Sequence, residues 1–266
     1  MDENRIAHYN SLSSSEALSL PKEEILAALD IDELYYGKFG QNWFSNSFLA
    51  KLLTDPLLRE EDQVWGNGSA LVIGNFVHKA ILEPEKAQNF PASSSTHRSQ
   101  NSYKADLEAS EFDTWMFLEK DKEKWMEFCQ TVLSNPEVKA ILHDPNNEFE
   151  VPQIAMFNGL PIKGKCDIIN HKTKTIIDLK TTSNLFGFQD KVDEWNYNMQ
   201  ATIYAKALYP DYNFRFVAVD KITCGTGVFD ISDKQFDIGL RKLYKCINLY
   251  KHYHAKTDDT VYYHYL

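Results

Sequence analysis

The sequence predicts an α/β fold with a mixed central sheet flanked by helices. Three observations lead there. Apolar, β-branched runs separated by turn residues give consecutive strands between residues 148 and 180. A helical segment follows over about 193–209, and residues 214–220 then read as a further strand, with another over 226–231. Three strands, a helix and more strands in that order form an α/β pattern.

At 266 residues and 43% hydrophobic side chains, the chain can bury a sizeable core as one domain carrying an insertion. The expected division is an N-terminal helical part (1–67), a core helix (68–87), a helical insertion (88–147), a sheet core with its helix (148–231), and a C-terminal helix and tail (232–266). Pro21 opens a short helix that buries Ile25, Leu26 and Leu29. A second, over 47–53, takes Ser47 as its cap and stops before Asp55-Pro56. Residues 69–82 are apolar on most sides, as in a helix buried in a core, and carry His78. Glu83 follows, where an acid opposes the helix dipole unless a cation offsets it. Residues 88–111 change character, and within them 91–99 read as a polar, mobile loop. Helical periodicity returns over 113–143, with a break at Pro136, and residues 233–254 form a last helix with a basic outer face.

The net charge of −10 argues against a protein that coats nucleic acid nonspecifically, yet five lysines stand against two aspartates from Lys163 to Lys180. Acid collects elsewhere, as in Glu60-Glu61-Asp62. No signal peptide and no run of 18 apolar residues are present, so a cytoplasmic protein with no membrane partner is expected. Cys129, Cys166, Cys224 and Cys246 lack CxxC spacing, which suggests neither a zinc site nor a disulfide framework.

The chemistry gathers on the strands. Residues 162–169 and 174–180 flank a four-residue turn, 170–173, as a β-hairpin. Alternation places Asp178 and Lys180 on one face with Ile176, and Ile177 and Leu179 on the other. In that register Asp167 is a diagonal neighbour of Asp178, about 7–8 Å away, and Cys166 points away from them. Asn158-Gly159 signals a two-residue turn that pairs Phe157 with Leu160 and, counting back, sets Glu150 opposite Asp167. Carboxylates about 5 Å apart repel by roughly 3 kcal/mol at an effective dielectric near 20, so three together call for a cation. All-oxygen donors favour Mg²⁺ or Mn²⁺. A solvated outer face that happens to carry these charges is the plain alternative, and His78 reads equally as a hydrogen-bonded core residue.

Taken together, Gly74-x-x-x-His78, Gly164-x-x-Asp167, Asp178-x-Lys180 and Gln200-x-x-x-Tyr204 resemble the PD-(D/E)XK nuclease superfamily, in its RecB and RecE branch. Leu82-Glu83-Pro84 and the stretch from Ser47-Phe48-Leu49 to Asp55-Pro56 are similar to RecE-like phage exonucleases of the lambda-exonuclease type. The resemblance implies a restriction-endonuclease-like core and a metal-dependent exonuclease. It would hydrolyse linear double-stranded DNA from 5′ to 3′, in phage-type recombination or repair. It implies His78, Asp167, Asp178 and the main-chain carbonyl of Leu179 as ligands of Mg²⁺, with Mn²⁺ as a substitute. Glu150 joins them by register and Glu83 by its place in the motif. Lys180 is implied as the residue that orients or deprotonates the attacking water and steadies charge on the phosphate. Gln200, Tyr204, Lys165, Thr181 and Thr182 are expected near substrate. An iron-sulfur cluster is not expected. Relatives suggest duplex DNA ends, a homo-oligomeric ring and a single-strand annealing protein as partners. The alternatives are a single-strand-specific or internally cutting nuclease, or a non-catalytic DNA-binding subunit.

Overall fold

The computed structural model describes residues 3–59, 68–110, 112 and 114–254, so the acidic run at 60–62 and the tail from 255 lie outside the described residues. Helices α1 (Glu3–Ser11), α2 (Ser14–Ser19), α3 (Lys22–Leu29) and α4 (Asp32–Tyr35) lead through a 3₁₀ turn, Gly40–Asn42, to α5 (Asn46–Leu52). The cap of α5 is Ser45, whose hydroxyl accepts the Phe48 N–H; Ser47 lies inside the helix. The long α6 (Ser69–Leu82) buries Val72, Phe76, Val77, Ala80, Ile81 and Leu82, and α7 (Pro84–Gln88) follows.

The stretch expected to be a mobile loop is built. Strand β1 (Ala92–Ser93) pairs in parallel with β2 (Phe117–Leu118), and α8 (Asn101–Glu108) lies between them. Its polar residues satisfy one another. Gln100 accepts the Thr96 and His97 N–H groups, Ser93 donates to Asp106 at 2.5 Å, and the Arg98 guanidinium lies 4.4 Å from the Trp115 ring while pairing with Asp121. Polar composition marked this segment as loop because its hydrogen bonds are long-range. Helices α9 (Glu119–Leu133) and α10 (Pro136–Leu142) complete the insertion.

The main sheet has the order β3-β4-β5-β6-β7, formed by β3 (Asn147–Phe157), β4 (Leu160–Asn170), β5 (Thr175–Thr182), β6 (Asn213–Asp220) and β7 (Thr226–Asp230). All neighbours are antiparallel except β5 and β6, which the helical crossover makes parallel. That crossover is not one helix. It comprises α11 (Phe188–Glu194), a link of Trp195 and Asn196, α12 (Tyr197–Thr202) and a π-helical turn, Ile203–Leu208. A final helix, α13 (Asp233–His254), covers α12.

Two cores sandwich the sheet. Ile169, Ile176, Phe214, Phe216 and Ala218 pack against α12 and α13, and Ile168, Ile177, Leu179, Val217 and Val219 against α6. Close approach needs glycine at two points. A Cβ on Gly164 would stand 2.4 Å from Tyr204 Cε1, and one on Gly239 would stand 2.2 Å from the Asn198 carbonyl oxygen. Overpacking of this kind costs about 1–3 kcal/mol. Gly164→Ala is therefore expected to lower the unfolding free energy by that amount, read as a lower urea midpoint with an unchanged slope; an unmoved midpoint would contradict the packing.

Candidate functional site

The β3–β4 hairpin turns at Asn158 and Gly159, both with positive φ (47° and 81°), and pairs Phe157 with Leu160 as the sequence indicated. The β4–β5 turn lies one residue later than expected, at residues 171–174. Asn170 pairs with Thr175, its side chain accepts the Thr173 N–H, and Lys174 takes φ 50°. Carried forward from the Ile168–Ile177 pair, this register sets Asp167 directly opposite Asp178, not diagonal to it.

Beyond that pair the two strands part. The Asp167 carboxylate occupies the fork and accepts the Leu179 N–H at 2.8 Å. Both β3 and β4 change phase here. Leu160, Ile162 and Cys166 face the α12 core, as do Val151, Ala155 and Phe157, whereas Ile168 and Phe149 face the α6 core. Cys166 consequently points to the side of Asp178, contrary to simple alternation. Glu150, opposite Asp167 at the change of phase, has φ 51°, a left-handed backbone that costs a non-glycine residue about 1–3 kcal/mol.

Helices reach this fork from both faces of the sheet. From α6, His78 Nδ1 comes within 3.4 Å of Asp167 Oδ2. Donor atoms of His78, Glu150 and Asp167 all lie within 4.8 Å of one another. From α12, Gln200 Nε2 donates to Asp178 Oδ1 at 2.6 Å. Asp178 is 3% exposed, and its Oδ2 makes an ion-pair contact with Lys180 Nζ at 2.5 Å but no well-aligned hydrogen bond. Lys180 Nζ also lies 4.8 Å from the Tyr197 ring centre.

Burial sets the electrostatics. It pushes Asp178 up to about 6 against the pull of Lys180. It also raises Asp167 and Glu150, the latter with help from the charges of Asp167 and Glu83. Burial, seconded by Lys180, lowers His78 to about 4, so its contact with Asp167 is imidazole to carboxyl and not an ion pair. Lys180 resists its own burial because Asp178 and Asp167 hold it well above the usual lysine range. A buried Asp178 carboxylate shared by Lys180 and Gln200, beside an imidazole and two more acids whose ionisation burial opposes, is a donor set suited to a divalent cation.

Other expected site residues serve the scaffold. Glu83 pairs with Lys86 at 2.5 Å and stands outside the three-donor group. Tyr204 is buried and donates its hydroxyl to the Lys165 carbonyl, two residues before Asp167. Lys165 is also buried, bound to Asp32 at 2.8 Å, and Lys163 donates to the Tyr35 carbonyl. These two lysines fasten the N-terminal helices instead of lining a basic groove. Thr182 spends its hydroxyl in the turn with Asn184, and Thr181 Oγ1 lies near Gly74 of α6. Sequence reasoning missed Tyr197, although it stands three residues before Gln200 on one helix face. It also missed Asp32, for which a partner 133 residues away leaves no local signal.

A family model described as a PDDEXK-like domain of unknown function (DUF3799) matches residues 54–262. The chain belongs to this PDDEXK-like family. Among solved structures, it is similar to a protein from Eubacterium rectale named as a candidate exonuclease, at TM-score 0.57 and 13% identity, over 84% of this chain and 87% of that one. A phage-related exonuclease from Haemophilus somnus 129PT matches at TM-score 0.31 and 14% identity, over 66% of this chain and 91% of that one. No curated protein matches in sequence. The PDDEXK-like chain thus has the nuclease-type α/β fold that its motifs indicated. No helix among its described residues is long and apolar enough to cross a membrane.

Raised acids fix a sign. Asp178 is protonated in the folded chain between about pH 4 and 6 while its unfolded counterpart is ionised, so its contribution to stability is lost as pH rises through about 6; Asp167 acts in the same window, and Glu150 loses its contribution as pH rises through about 8. Metal binding needs these carboxylates ionised. The thermal shift given by 5 mM Mg²⁺ (about that concentration) is expected to grow from pH 5.5 to pH 8; an equal shift at both would contradict the assignment.

Proposed function

We propose that this PDDEXK-like chain is a nuclease that hydrolyses phosphodiester bonds of DNA with a bound divalent cation, Mg²⁺ or Mn²⁺. The observation that carries the reading is the convergence of His78, Glu150 and Asp167 beside the Asp178–Lys180 pair in the β4–β5 fork. His78, Glu150, Asp167 and Asp178, with the Leu179 carbonyl, would hold the cation. When bound, such an ion neutralises phosphate charge and lowers the pKa of a water molecule.

The chain's own groups do the rest. Lys180, fixed between Asp178 and the Tyr197 ring, brings an ammonium group to where negative charge grows on the phosphate. Gln200 positions Asp178. Asp167, tied to Leu179, keeps the fork open for a phosphate. The finer reading is an exonuclease on linear duplex DNA, working from 5′ to 3′ in phage-type recombination or repair inside a bacterial or phage-infected cell. A homo-oligomeric ring would gather basic faces of an acidic chain around the DNA, with a single-strand annealing protein as collaborator.

Digestion of end-labelled linear and relaxed circular duplex DNA in Mg²⁺ tests this. The wild type is expected to degrade the linear form and spare the circle. Asp178→Ala and Lys180→Ala should each lose at least about 100-fold in rate, the scale of losing one preorganised charge-stabilising group, and Gln200→Ala about tenfold with its fold intact. Equal background rates in wild type and variants would end the enzymatic reading, and cutting of the circle would replace the exonuclease with an internally cutting one.

A further inference from the structure

Trp195 is 46% exposed, on the two-residue link between α11 and α12. Its position is fixed from several sides. Asn196, next to it, takes φ 58°; the Trp195 N–H donates to the Lys191 carbonyl at 2.9 Å; and Asp193 is held by both Lys242 and Asn198. The indole centre lies 5.7 Å from the Tyr197 ring, edge to face, and the Tyr197 ring lies 4.8 Å from Lys180 Nζ. An exposed aromatic on a backbone held in this way thus stands two contacts from the Lys180 ammonium, a reach of a few nucleotides at about 3.4 Å each. Lys191 Nζ, 5.2 Å from the indole centre, brings a cation to the same place, although Glu194 pairs with it at 2.7 Å.

We propose that Trp195 is a stacking platform for a nucleobase a few nucleotides from the phosphate being cleaved, a substrate-positioning residue that the family motifs do not include. The inference rests on the nuclease reading. Every base has a π-face, so stacking on an aromatic ring holds a strand without regard to sequence and contributes about 1–3 kcal/mol per base. That suits a site whose remaining groups address only phosphate. It also gives the exposed ring a use that packing does not, since the turn itself is held by backbone and polar bonds.

The test uses duplex oligonucleotides with 2-aminopurine at each of the first few positions from the end, bound in EDTA so that no cleavage occurs, together with steady-state cleavage in Mg²⁺. Wild type is expected to quench one position, Trp195→Ala to leave it bright, and Trp195→Phe to restore most of the quenching. In cleavage, Trp195→Ala should raise KM about tenfold with kcat within about twofold, and an abasic nucleotide at the quenched position should cost the wild type the same factor but the alanine variant nothing more. Unquenched probes at every position, an unchanged KM, or a tenfold abasic penalty that persists in Trp195→Ala would overturn it. So would retained quenching in Trp195→Ala with altered self-association by gel filtration, which would make the ring a subunit contact. Absence of wild-type cleavage with quenching intact would sink the nuclease reading and leave the stacking site standing.

Discussion

The hydrogen bond from the Leu179 N–H to the Asp167 carboxylate is the interaction on which the site depends. The β4–β5 ladder stops at Ile168 and Ile177, and the next backbone donor would be orphaned in a buried fork. A carboxylate takes the place of the ladder partner. One side chain therefore both ends the pairing and stands in the opening that the ended pairing creates. His78 arrives from one face of the sheet and Gln200 from the other because α6 and α12 pack on opposite cores. Glu150 completes the group at the cost of a left-handed backbone, and the change of phase in β3 and β4 is where that cost is taken.

Charge explains how an acidic chain keeps such a cluster. Three carboxylates and an imidazole are held where burial resists their ionisation, and Lys180 compensates them only in part. A divalent ion bound in the fork would relieve that penalty. Lys163 and Lys165 of β4 are not free to face DNA. Both are cross-links to α4, Lys163 to the Tyr35 carbonyl and Lys165 to Asp32, in a region that precedes the family match at residue 54. The N-terminal helices are thus a wall added beside the site, secured by the buried Lys165 ammonium on a half-exposed Asp32.

Much of this was legible in the residues. The two-residue turn at Asn158-Gly159 fixed the pairing of β3 with β4 and so placed Glu150 opposite Asp167, and the limits of α6 followed from its apolar run. The β4–β5 turn was misplaced by one residue because Asn170 looks like a turn former yet ends the strand and holds the turn with its side chain. Cys166 was assigned the wrong face because alternation cannot foresee a change of phase, which in the partner strand β3 coincides with a positive φ at Glu150 and no glycine to announce it. Lys165, Tyr204 and Thr182 were read as substrate contacts because their types suit phosphate; their tertiary partners, Asp32, the Lys165 carbonyl and Asn184, consume them. The polar insertion looked mobile for the same reason, since bonds such as Arg98 to Asp121 join residues far apart in sequence.

The central claim is that the β4–β5 fork holds a divalent cation. Anomalous diffraction from a crystal soaked in Mn²⁺ tests it most directly. The account predicts a peak in the fork bonded to Asp167 and to at least two of His78, Glu150 and Asp178, at about 2.0–2.4 Å. A peak that forms elsewhere while the fork stays empty, or none at saturating Mn²⁺ and pH 8, would contradict it.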